Sequence, residues 1–376
     1  MRGQAARQTT GYFGGHVALG LMSGVLGPTL PALAAQTRSD PDALGILFAA
    51  RSLGYLLASL VVGRIYDRRT AHPILVGALL VIAAGLAAVP LVPTRIGLVG
   101  LFLLLGSAQG VLDVGNNMML ARVQGARIAP YMSALHCCYG VGALLAPLVV
   151  GASSSVAWGY WWLALAIVPF AVGVSSTRSP TQTEPVTTEP SSPARADSRL
   201  IGLLVAWFVL CQGAEAGFAG WSFTVATRSG FDQDAATKLV SSFWAAFTLA
   251  RVLTIPLAAR VRPQTLLTID LLGAIASVSC LVLIPGETAM WIGTVALGLS
   301  LASMFPATLS LASQHMRLDG AVTSTFFVGA SLGAMSVPWA LGYALALGPR
   351  GPLWIILVDL VIAGAVLRAV RTRTRG

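Results

Sequence analysis

The side chains best suited to chemistry in this chain are the few ionisable ones that lie inside long apolar stretches. Asp113 is the first of them, and it shares the segment 109–117 with Gln109, Asn116 and Asn117. These four positions fall on one face of a helix. A carboxylate among three carboxamides can bind a cation or a polar solute, although the same residue types can also tie two helices together. We favour a binding role, because the stripe has more polar capacity than packing requires.

His136 is placed at a matching depth. In the predicted helices, Asp113 lies about 8 residues, or roughly 12 Å, from the end of its helix, and His136 lies about equally far from the start of the next. We therefore expect the two side chains to meet. A carboxylate beside an imidazole gives two groups that can each carry a coupling proton. His16 lies at a similar depth, and we expect its ring to bond a backbone carbonyl.

Glu215 is the corresponding acid of the second half of the chain. Gly213 and Gly217 form a face that permits close helix contact, while Gln212 and Glu215 occupy a separate polar edge. A glutamate near the middle of an apolar stretch is hard to explain by packing alone. Trp221 lies one and a half turns further on. Its ring can offer a flat apolar surface to a sugar, or it can be an ordinary interface tryptophan.

Four further charged residues lie inside apolar stretches. Arg51 and Arg251 occupy comparable points of their helices, and we expect them to neutralise an acid or a row of carbonyls, with substrate binding as the weaker possibility. Asp270 and Asp359 lie in helices predicted to be peripheral. For these two we expect a structural pair or a hydrated boundary position.

Catalytic and metal-binding motifs are missing from the sequence. There is no Gly-x-x-x-x-Gly-Lys-Ser/Thr phosphate loop, and none of the four cysteines forms a Cys-x-x-Cys pair. We therefore predict a protein that is not an enzyme and holds no metal and no cofactor. Any transport that it performs would draw on a gradient, with H⁺ or Na⁺ as the coupling ion.

Composition sets the environment in which these residues lie. Hydrophobic residues make up 56% of the chain and charged residues only 10%, against roughly 25% in soluble domains. The mean hydropathy is +0.77. Lys and Arg number 24 against 14 Asp and Glu, but the basic residues fall in short loops and tails between apolar runs. The composition therefore predicts an all-α membrane protein and argues against nucleic-acid binding.

Apolar runs long enough to cross a bilayer predict twelve transmembrane helices, six in each half. We place them near 11–34, 43–66, 73–93, 95–121, 128–153, 157–175, 199–227, 235–258, 263–284, 288–314, 319–346 and 350–371.

The distribution of basic residues predicts the orientation. With a cytoplasmic N-terminus, 17 arginines lie inside, namely those at 2, 7, 64, 68, 69, 122, 127, 178, 195, 199, 260, 262, 317, 368, 371, 373 and 375. Five basic residues lie outside, at 38, 95, 228, 238 and 350. The positive-inside rule then places both termini in the cytoplasm of a multi-pass protein of the cell membrane. A signal peptide at the N-terminus is the alternative, but the apolar run is too long and contains Pro28 and Pro31.

A linker and a repeat divide the chain. Residues 176–198 are rich in Pro, Ser and Thr and predict a disordered cytoplasmic linker between an N-terminal bundle, 1–175, and a C-terminal bundle, 199–376. Gly27 followed by Thr37-Arg38-Ser39 matches Gly217 followed by Thr227-Arg228-Ser229 at the same offset. Such repeats are typical of transporters in which two pseudo-symmetric bundles move around a site at the bilayer midplane.

The loop between the second and third predicted helices gives a family resemblance. It reads Gly63-Arg64-Ile65-Tyr66-Asp67-Arg68-Arg69, and this pattern resembles the signature loop of the major facilitator superfamily. We expect Gly63 to let two helix ends approach, Asp67 to bond a neighbouring helix end, and Arg68 and Arg69 to stay in water, so that these four residues form a cytoplasmic gate. The equivalent loop, Ala258 to Arg262, has no acid.

Further segments resemble a narrower branch of that superfamily. They are Gly27 to Pro31, Ala50 to Tyr55, Leu112 to Asn116, Leu135-His136 with Gly140 to Ala143, and Gly213 to Glu215 with Trp221. Together they are similar to the sodium-dependent glucose transporter-like branch, which is similar in turn to the fucose/galactose/glucose-proton symporters. The resemblance implies the major facilitator fold and uptake of a small polar solute, with a sugar as the expected class. It also implies that Asp113 and Glu215 are the coupling or binding acids.

Three interpretations of function remain open at this stage. The first is a gradient-coupled symporter that works by alternating access, as a monomer in the lipid bilayer. The second is an exporter that exchanges protons for a metabolite or drug. The third is a membrane sensor that keeps the fold and transports nothing.

Overall fold

A computed structural model describes residues 2–180, 197–258, 260–316 and 320–374 of this chain. Within these residues the structure is α-helical and contains no strand. Its helices are α1 Arg2–Thr37, α2 Ile46–Tyr66, α3 Ala71–Ala88, α4 Arg95–Gln124, α5 Ile128–Gly151, α6 Val156–Ser175, α7 Ser198–Arg228, α8 Gln233–Ala258, α9 Pro263–Leu283, α10 Glu287–Leu301, α11 Met304–His315, α12 Gly320–Ala344 and α13 Gly351–Arg373. The remaining regular structure consists of short 3₁₀ turns.

Twelve spans are long and apolar enough to cross a membrane, which confirms the predicted number. The two main differences from the predicted boundaries lie in the first and the tenth spans. Helix α1 begins at Arg2, about two and a half turns before residue 11. The tenth span is not one helix, because it breaks at Ala302–Ser303 into α10 and α11. Residues 181–196, most of the predicted linker, lie outside the described part of the chain, so the linker and the domain limits stay predictions.

Local sequence explains where several helices begin. Thr94 precedes α4, and its hydroxyl accepts a hydrogen bond from the backbone N–H of Gly97. Ser155 caps α6 in the same way through Trp158 N–H. Pro263 begins α9, where its missing N–H leaves no donor unsatisfied. These residues end the short connections between successive antiparallel helices.

The helix pairing of the first half is repeated in the second. In the first half α1 packs on α5, α2 on α4, and α3 on α6. In the second half α7 packs on α12, α8 on α10, and α9 on α13. Because α10 and α11 form one span, these are the same pairs of spans, counted from the start of each half. The structure therefore consists of two pseudo-symmetric six-span bundles, as predicted.

The two bundles touch through α1 and α7, α2 and α12, and α5 and α8. Several of these contacts lie at the end of the molecule that carries residues 37–46, here called the α1–α2 end. A Cβ atom built on Gly27 would lie 2.8 Å from the backbone oxygen of Ala219, and one built on Gly342 would lie 2.6 Å from that of Asp42. Glycines thus let backbones of opposite bundles meet at this end.

Within the first bundle, α2 and α4 cross at backbone contact. A Cβ atom on Gly106 would overlap the backbone oxygen of Arg51, and one on Gly54 would overlap that of Leu103. One turn further along α4, a Cβ atom on Gly110 would lie 2.6 Å from the backbone oxygen of Tyr55. The crossing therefore brings Tyr55 beside the turn of α4 that carries Asp113.

Replacing Gly106 by Ala should destabilise the protein, because the added methyl group forces α2 and α4 apart. We expect a loss of about 1–3 kcal/mol, measured as a lower midpoint of thermal unfolding of the purified protein in detergent. Gly100→Ala is the matched control on the same helix, since a Cβ atom there meets nothing within 4 Å. That variant should be unchanged or gain up to about 1 kcal/mol from helix propensity. Equal midpoints for the two variants would contradict the crossing.

Candidate functional site

Asp113 on α4 is held by side chains from three helices. The Tyr55 hydroxyl on α2 donates to Oδ2 at 2.6 Å, and Asn117 Nδ2 on α4 donates to Oδ1 at 2.8 Å. His16 Nε2 on α1 lies 3.4 Å from the same Oδ1. The side chain of Asp113 is 26% exposed, whereas that of His16 is 2% exposed. Both oxygens of the carboxylate thus have partners inside the bundle, while part of the side chain remains exposed.

His16, and not His136, is the direct partner of Asp113, so the expected contact between Asp113 and His136 is wrong. His136 on α5 lies behind His16, with the two rings edge to face and their centroids 5.7 Å apart. The expectation that His16 bonds a backbone carbonyl is also wrong, because its two ring nitrogens face Asp113 and Asn116. Helix depth alone could not decide between the histidines, since both lie at the level of Asp113.

The contacts around His16 fit its neutral form. Asn116 Nδ2 lies 3.2 Å from His16 Nδ1, so the amide donates and Nδ1 accepts. The ring proton then lies on Nε2 and points to Asp113. Asn116 Oδ1 is buried and has no partner in the described structure. If His16 took up a proton, rotation of the Asn116 amide would turn this oxygen to the new Nδ1–H.

Gln109 lies in the same polar stripe but serves a different contact. Its Nε2 donates to Ser23 Oγ at 3.2 Å and approaches the backbone oxygen of Leu19 at 3.5 Å, so it ties α4 to α1. The hydroxyl of Tyr139 on α5 also lies near Ser23. Gln109 is buried, and its contacts with α1 cover this part of the polar stripe.

Glu215 on α7 lies on the other side of the same region. It interacts electrostatically with Arg251 of α8, and the side chain of Gln212 lies near it. Tyr139 of α5 interacts electrostatically with both Glu215 and Arg251. Tyr139 therefore faces the charged side chains of the second bundle, and the predicted acids of the two halves approach a common region.

The two intramembrane arginines lie at different depths and have different surroundings. Arg51 is the sixth residue of α2, whereas Arg251 is the nineteenth of α8, so the expected comparable position is wrong. The Arg251 guanidinium lies 4.5 Å above the ring of Phe247 and near Glu215. Arg51 makes no hydrogen bond or ion pair to any residue that the structure describes, and its Nη1 atom is buried.

Trp221 does not line the region of the acids. It is 1% exposed, and its Nε1 donates to the backbone oxygen of Pro338 on α12 at 2.7 Å. Its ring lies 6.1 Å from that of Phe48 on α2 and next to Gly45. Of the two roles considered for Trp221, a flat surface for a sugar ring does not fit this conformation, where Trp221 fills the contact between the bundles at the α1–α2 end.

The loop 63–69 lies at the opposite end of the molecule and forms an ion pair with α4. Asp67 follows α2 directly, and its Oδ1 lies 3.3 Å from Nη2 of Arg122, near the end of α4. Arg68 and Arg69 are exposed, as expected. A Cβ atom on Gly63 would meet nothing within 4 Å, so the predicted close approach of helix ends at this glycine is wrong. Whether the loop acts as a gate stays a prediction.

Asp270 and Asp359 are not at a hydrated boundary, because both are buried. Asp270 Oδ2 accepts a 2.5 Å hydrogen bond from Ser303, the residue at the break between α10 and α11. Asp359 Oδ2 is buried without a partner in the described structure. Neither forms the expected pair with the other among the ion pairs and hydrogen bonds of the described residues.

Sequence reasoning missed three members of the site: Tyr55, Tyr139 and Arg122. Tyr55 had a detectable signal, since it lies four residues after Arg51 and so shares its helix face. Arg122 lies at the predicted cytoplasmic end of α4 among other arginines. Nothing in the sequence distinguishes it from them as the partner of Asp67.

Comparison with known proteins agrees with this architecture. The family model of the Major Facilitator Superfamily matches residues 12–338. Sodium-dependent glucose transporter 1A of Mus musculus is 27% identical over 372 residues, covering 88% of each chain. Sodium-dependent glucose transporter 1 of Homo sapiens is 28% identical over 367 residues, covering 86% of this chain and 71% of that one. Major facilitator superfamily domain-containing protein 4A of Homo sapiens is 24% identical, covering 89% and 85%.

Solved structures share the fold at low sequence identity. The nucleoside transporter NupG, solved as a single-residue mutant, superposes with a TM-score of 0.77 at 14% identity and covers 97% of this chain and 99% of its own. A bacterial homolog of the human lysosomal transporter Spinster, inward-facing and unoccupied, gives a TM-score of 0.74 at 14% identity, covering 98% and 96%. With a family match over most of its length and twelve spans in two bundles, this chain belongs to the Major Facilitator Superfamily.

Proposed function

We propose that this protein is a secondary active transporter that moves a small polar solute, of the sugar class, across the cell membrane by alternating access. The observation that carries the proposal is the cluster of Asp113, His16 and Tyr55, which joins α1, α2 and α4 beside the contact between the bundles. Sugar as the solute class is supported by the names of the relatives that cover most of the chain.

A proton is the coupling ion that this cluster fits best, with Na⁺ as the alternative. A carboxylate and an imidazole in contact are two groups that can share an added proton. The side chains around Asp113 meet it with donors, namely the Tyr55 hydroxyl, the Asn117 amide nitrogen and His16 Nε2. A hard cation such as Na⁺ requires several oxygen ligands instead, and these donors do not supply them.

The amide of Asn116 supports this choice. Its Oδ1 atom is buried without a partner in the described structure and lies beside Nδ1 of His16, where a proton would be added. Protonation of His16, with rotation of the amide, would replace the bond from Asn116 Nδ2 to Nδ1 by a charge-assisted bond from Nδ1–H to Oδ1, which offsets part of the cost of placing charge in an apolar bundle. The neutral and the protonated forms of His16 are then both fully bonded.

Alternating access requires the bundles to part at one end while they close at the other. The contacts of Gly27, Gly342 and Trp221 hold the α1–α2 end together. The ion pair between Asp67 and Arg122 joins α2 to α4 within the first bundle at the opposite end. We assign this pair to keeping the first bundle rigid while it rocks against the second.

Replacing Asp113 by Asn should abolish gradient-driven accumulation of solute, because the amide cannot exchange a proton with His16. The measurement is uptake of labelled D-glucose into vesicles that contain the purified protein, under an imposed proton gradient. Asp234→Asn is the control, since this exposed acid pairs with Lys238 at the surface. Accumulation by Asp113→Asn at the level of the control would remove Asp113 from coupling.

Replacing His16 by Gln should uncouple transport from the proton gradient. The amide can still bond Asp113, but it does not titrate, so downhill exchange of solute should persist while uphill accumulation falls at least about tenfold. The readout is the ratio of accumulation to exchange, under a proton gradient and, separately, under a sodium gradient. A sodium gradient that drives wild type and variant equally would favour Na⁺ and contradict the role given to His16.

Replacing Asp67 by Asn should slow turnover without changing solute affinity, because the ion pair lies far from the acids of the bundle centre. Arg122→Gln should slow turnover by a similar factor, and the double variant should be no slower than either one. Turnover and apparent Kd are measured together in vesicles. An affinity that shifts more than about threefold, or additive effects in the double variant, would overturn the pairing as the cause.

A further inference from the structure

The loop after α8, residues 258–262, has no part in the proposed transport cycle, although it is the counterpart of the loop after α2. In the first bundle the acid of that loop, Asp67, forms an ion pair with Arg122. The loop after α8 has two arginines, Arg260 and Arg262, and no acid. Both arginine side chains are exposed, and neither makes a hydrogen bond or an ion pair with any residue that the structure describes. Their donors are therefore available to a partner from outside the chain.

A cavity of about 510 Å³ lies between this loop and the end of α11. Its polar lining comes from the loop, the first turn of α9 and the last two turns of α11, namely Arg260, Arg262, Gln264, Ser310, Gln314 and His315. None of the described residues that line the cavity is acidic. Two guanidinium groups thus border one space in which the structure places no negative side chain.

The start of α9 adds to the positive potential of the cavity. This helix begins at Pro263, which also lines the cavity, and it continues for 21 residues to Leu283. The N-terminal end of a helix carries a partial positive charge and attracts anions. Because Arg262 directly precedes Pro263, its full charge and the partial charge of the helix end lie at the same place.

Hydrogen bonds fix the walls of the cavity. The backbone N–H of Arg260 donates to the backbone oxygen of Leu257 at 2.9 Å, so the loop is a tight turn. At the end of α13, Thr374 accepts a 2.8 Å bond from Gln264 Nε2 through its hydroxyl, and its backbone oxygen lies 3.4 Å from His315 Nε2. The end of α13 thus links the α9 wall to the α11 wall. A cavity that is already ordered loses less entropy when it binds a ligand.

Apolar surface adjoins the loop on both sides. Ile255 and Leu257, at the end of α8, are 50% and 43% exposed, and Ile269 on α9 is 60% exposed. In a protein with twelve apolar spans, such surface faces the acyl chains of lipids. The cavity therefore lies near the level of the lipid headgroups, at the end of the molecule that the basic residues predict to be cytoplasmic.

We propose that Arg260 and Arg262 bind a phosphate group in this cavity. The planar fork of a guanidinium matches two oxygens of a phosphate. An anionic lipid headgroup and a soluble phosphate ester both carry such a group, and the adjoining apolar surface favours the lipid. The site lies wholly in the second bundle, away from Asp113 and Glu215, so the inference goes beyond the proposed transport function.

Three probes test the proposal and distinguish the sources of the phosphate. They are phosphatidylglycerol, an anionic lipid; phosphatidylcholine, whose phosphate is balanced by choline; and glycerol 3-phosphate, a soluble ester. Binding to the purified protein in neutral detergent is measured as the ligand-dependent rise in unfolding temperature, which does not require transport. We expect wild type to bind phosphatidylglycerol at least about tenfold more tightly than phosphatidylcholine. Binding of glycerol 3-phosphate as tight as that of the anionic lipid would assign the site to a soluble ester.

Variants of the two arginines assign the effect to the cavity. Arg260→Gln combined with Arg262→Gln should bind the two lipids equally, whereas Lys at both positions should keep part of the preference, because it keeps the charge without the fork. Arg7→Gln combined with Arg199→Gln is the matched control, since both side chains are exposed and neither lines the cavity. The control removes the same amount of charge and should bind like wild type.

Every outcome decides for or against the site. If wild type binds neither phosphatidylglycerol nor glycerol 3-phosphate more tightly than phosphatidylcholine, the proposal is overturned, whatever the variants do. It is also overturned if the preference survives the loss of both arginines, or if the control variant loses it equally, because the attraction then comes from the whole charged surface. If the double variant does not fold, Arg262→Gln alone takes its place, and an unchanged preference in that variant contradicts the site.

Discussion

A charged side chain inside an apolar helical bundle has no water around it, so neighbouring helices must supply its bonds. The structure depends on this constraint. Asp113 is stable on α4 because α1 and α2 come close enough to bond it, and α2 comes close because glycines replace side chains where it crosses α4. The packing of these helices therefore also decides which groups bond Asp113. The glycine that permits backbone contact also determines which hydroxyl reaches the carboxylate.

The two bundles share their helix pairing but divide the charged residues unequally. The first bundle carries a carboxylate beside one histidine, with a second histidine behind it. The second carries Glu215 with Arg251, a pair whose charges offset each other. The acid of the loop after α2 has no counterpart in the equivalent loop, 258–262. A symmetric framework thus supports an asymmetric set of charges.

Much of the fold follows from the sequence, because span length, loop charge and the repeat are local properties. The number of spans and the two bundles were predicted correctly, whereas the early start of α1 and the break at Ser303, which donates to Asp270 of another helix, were missed. The site was harder. Asp113 and Glu215 were identified as acids inside membrane spans, but the choice of His16 over His136, and the burial of Trp221, depend on rotation about helix axes. Sequence patterns do not specify that rotation.

Trp221 has a consequence for the balance between conformations. Its one hydrogen bond goes to Pro338 of its own bundle, while the opposite bundle meets it with the ring of Phe48 and the backbone at Gly45. Separating the bundles there breaks no hydrogen bond of the Trp221 side chain and exposes apolar surface to water. Hydration of apolar surface carries a large heat-capacity change and becomes less unfavourable on cooling. Temperature itself therefore acts on this contact, and cold weakens it.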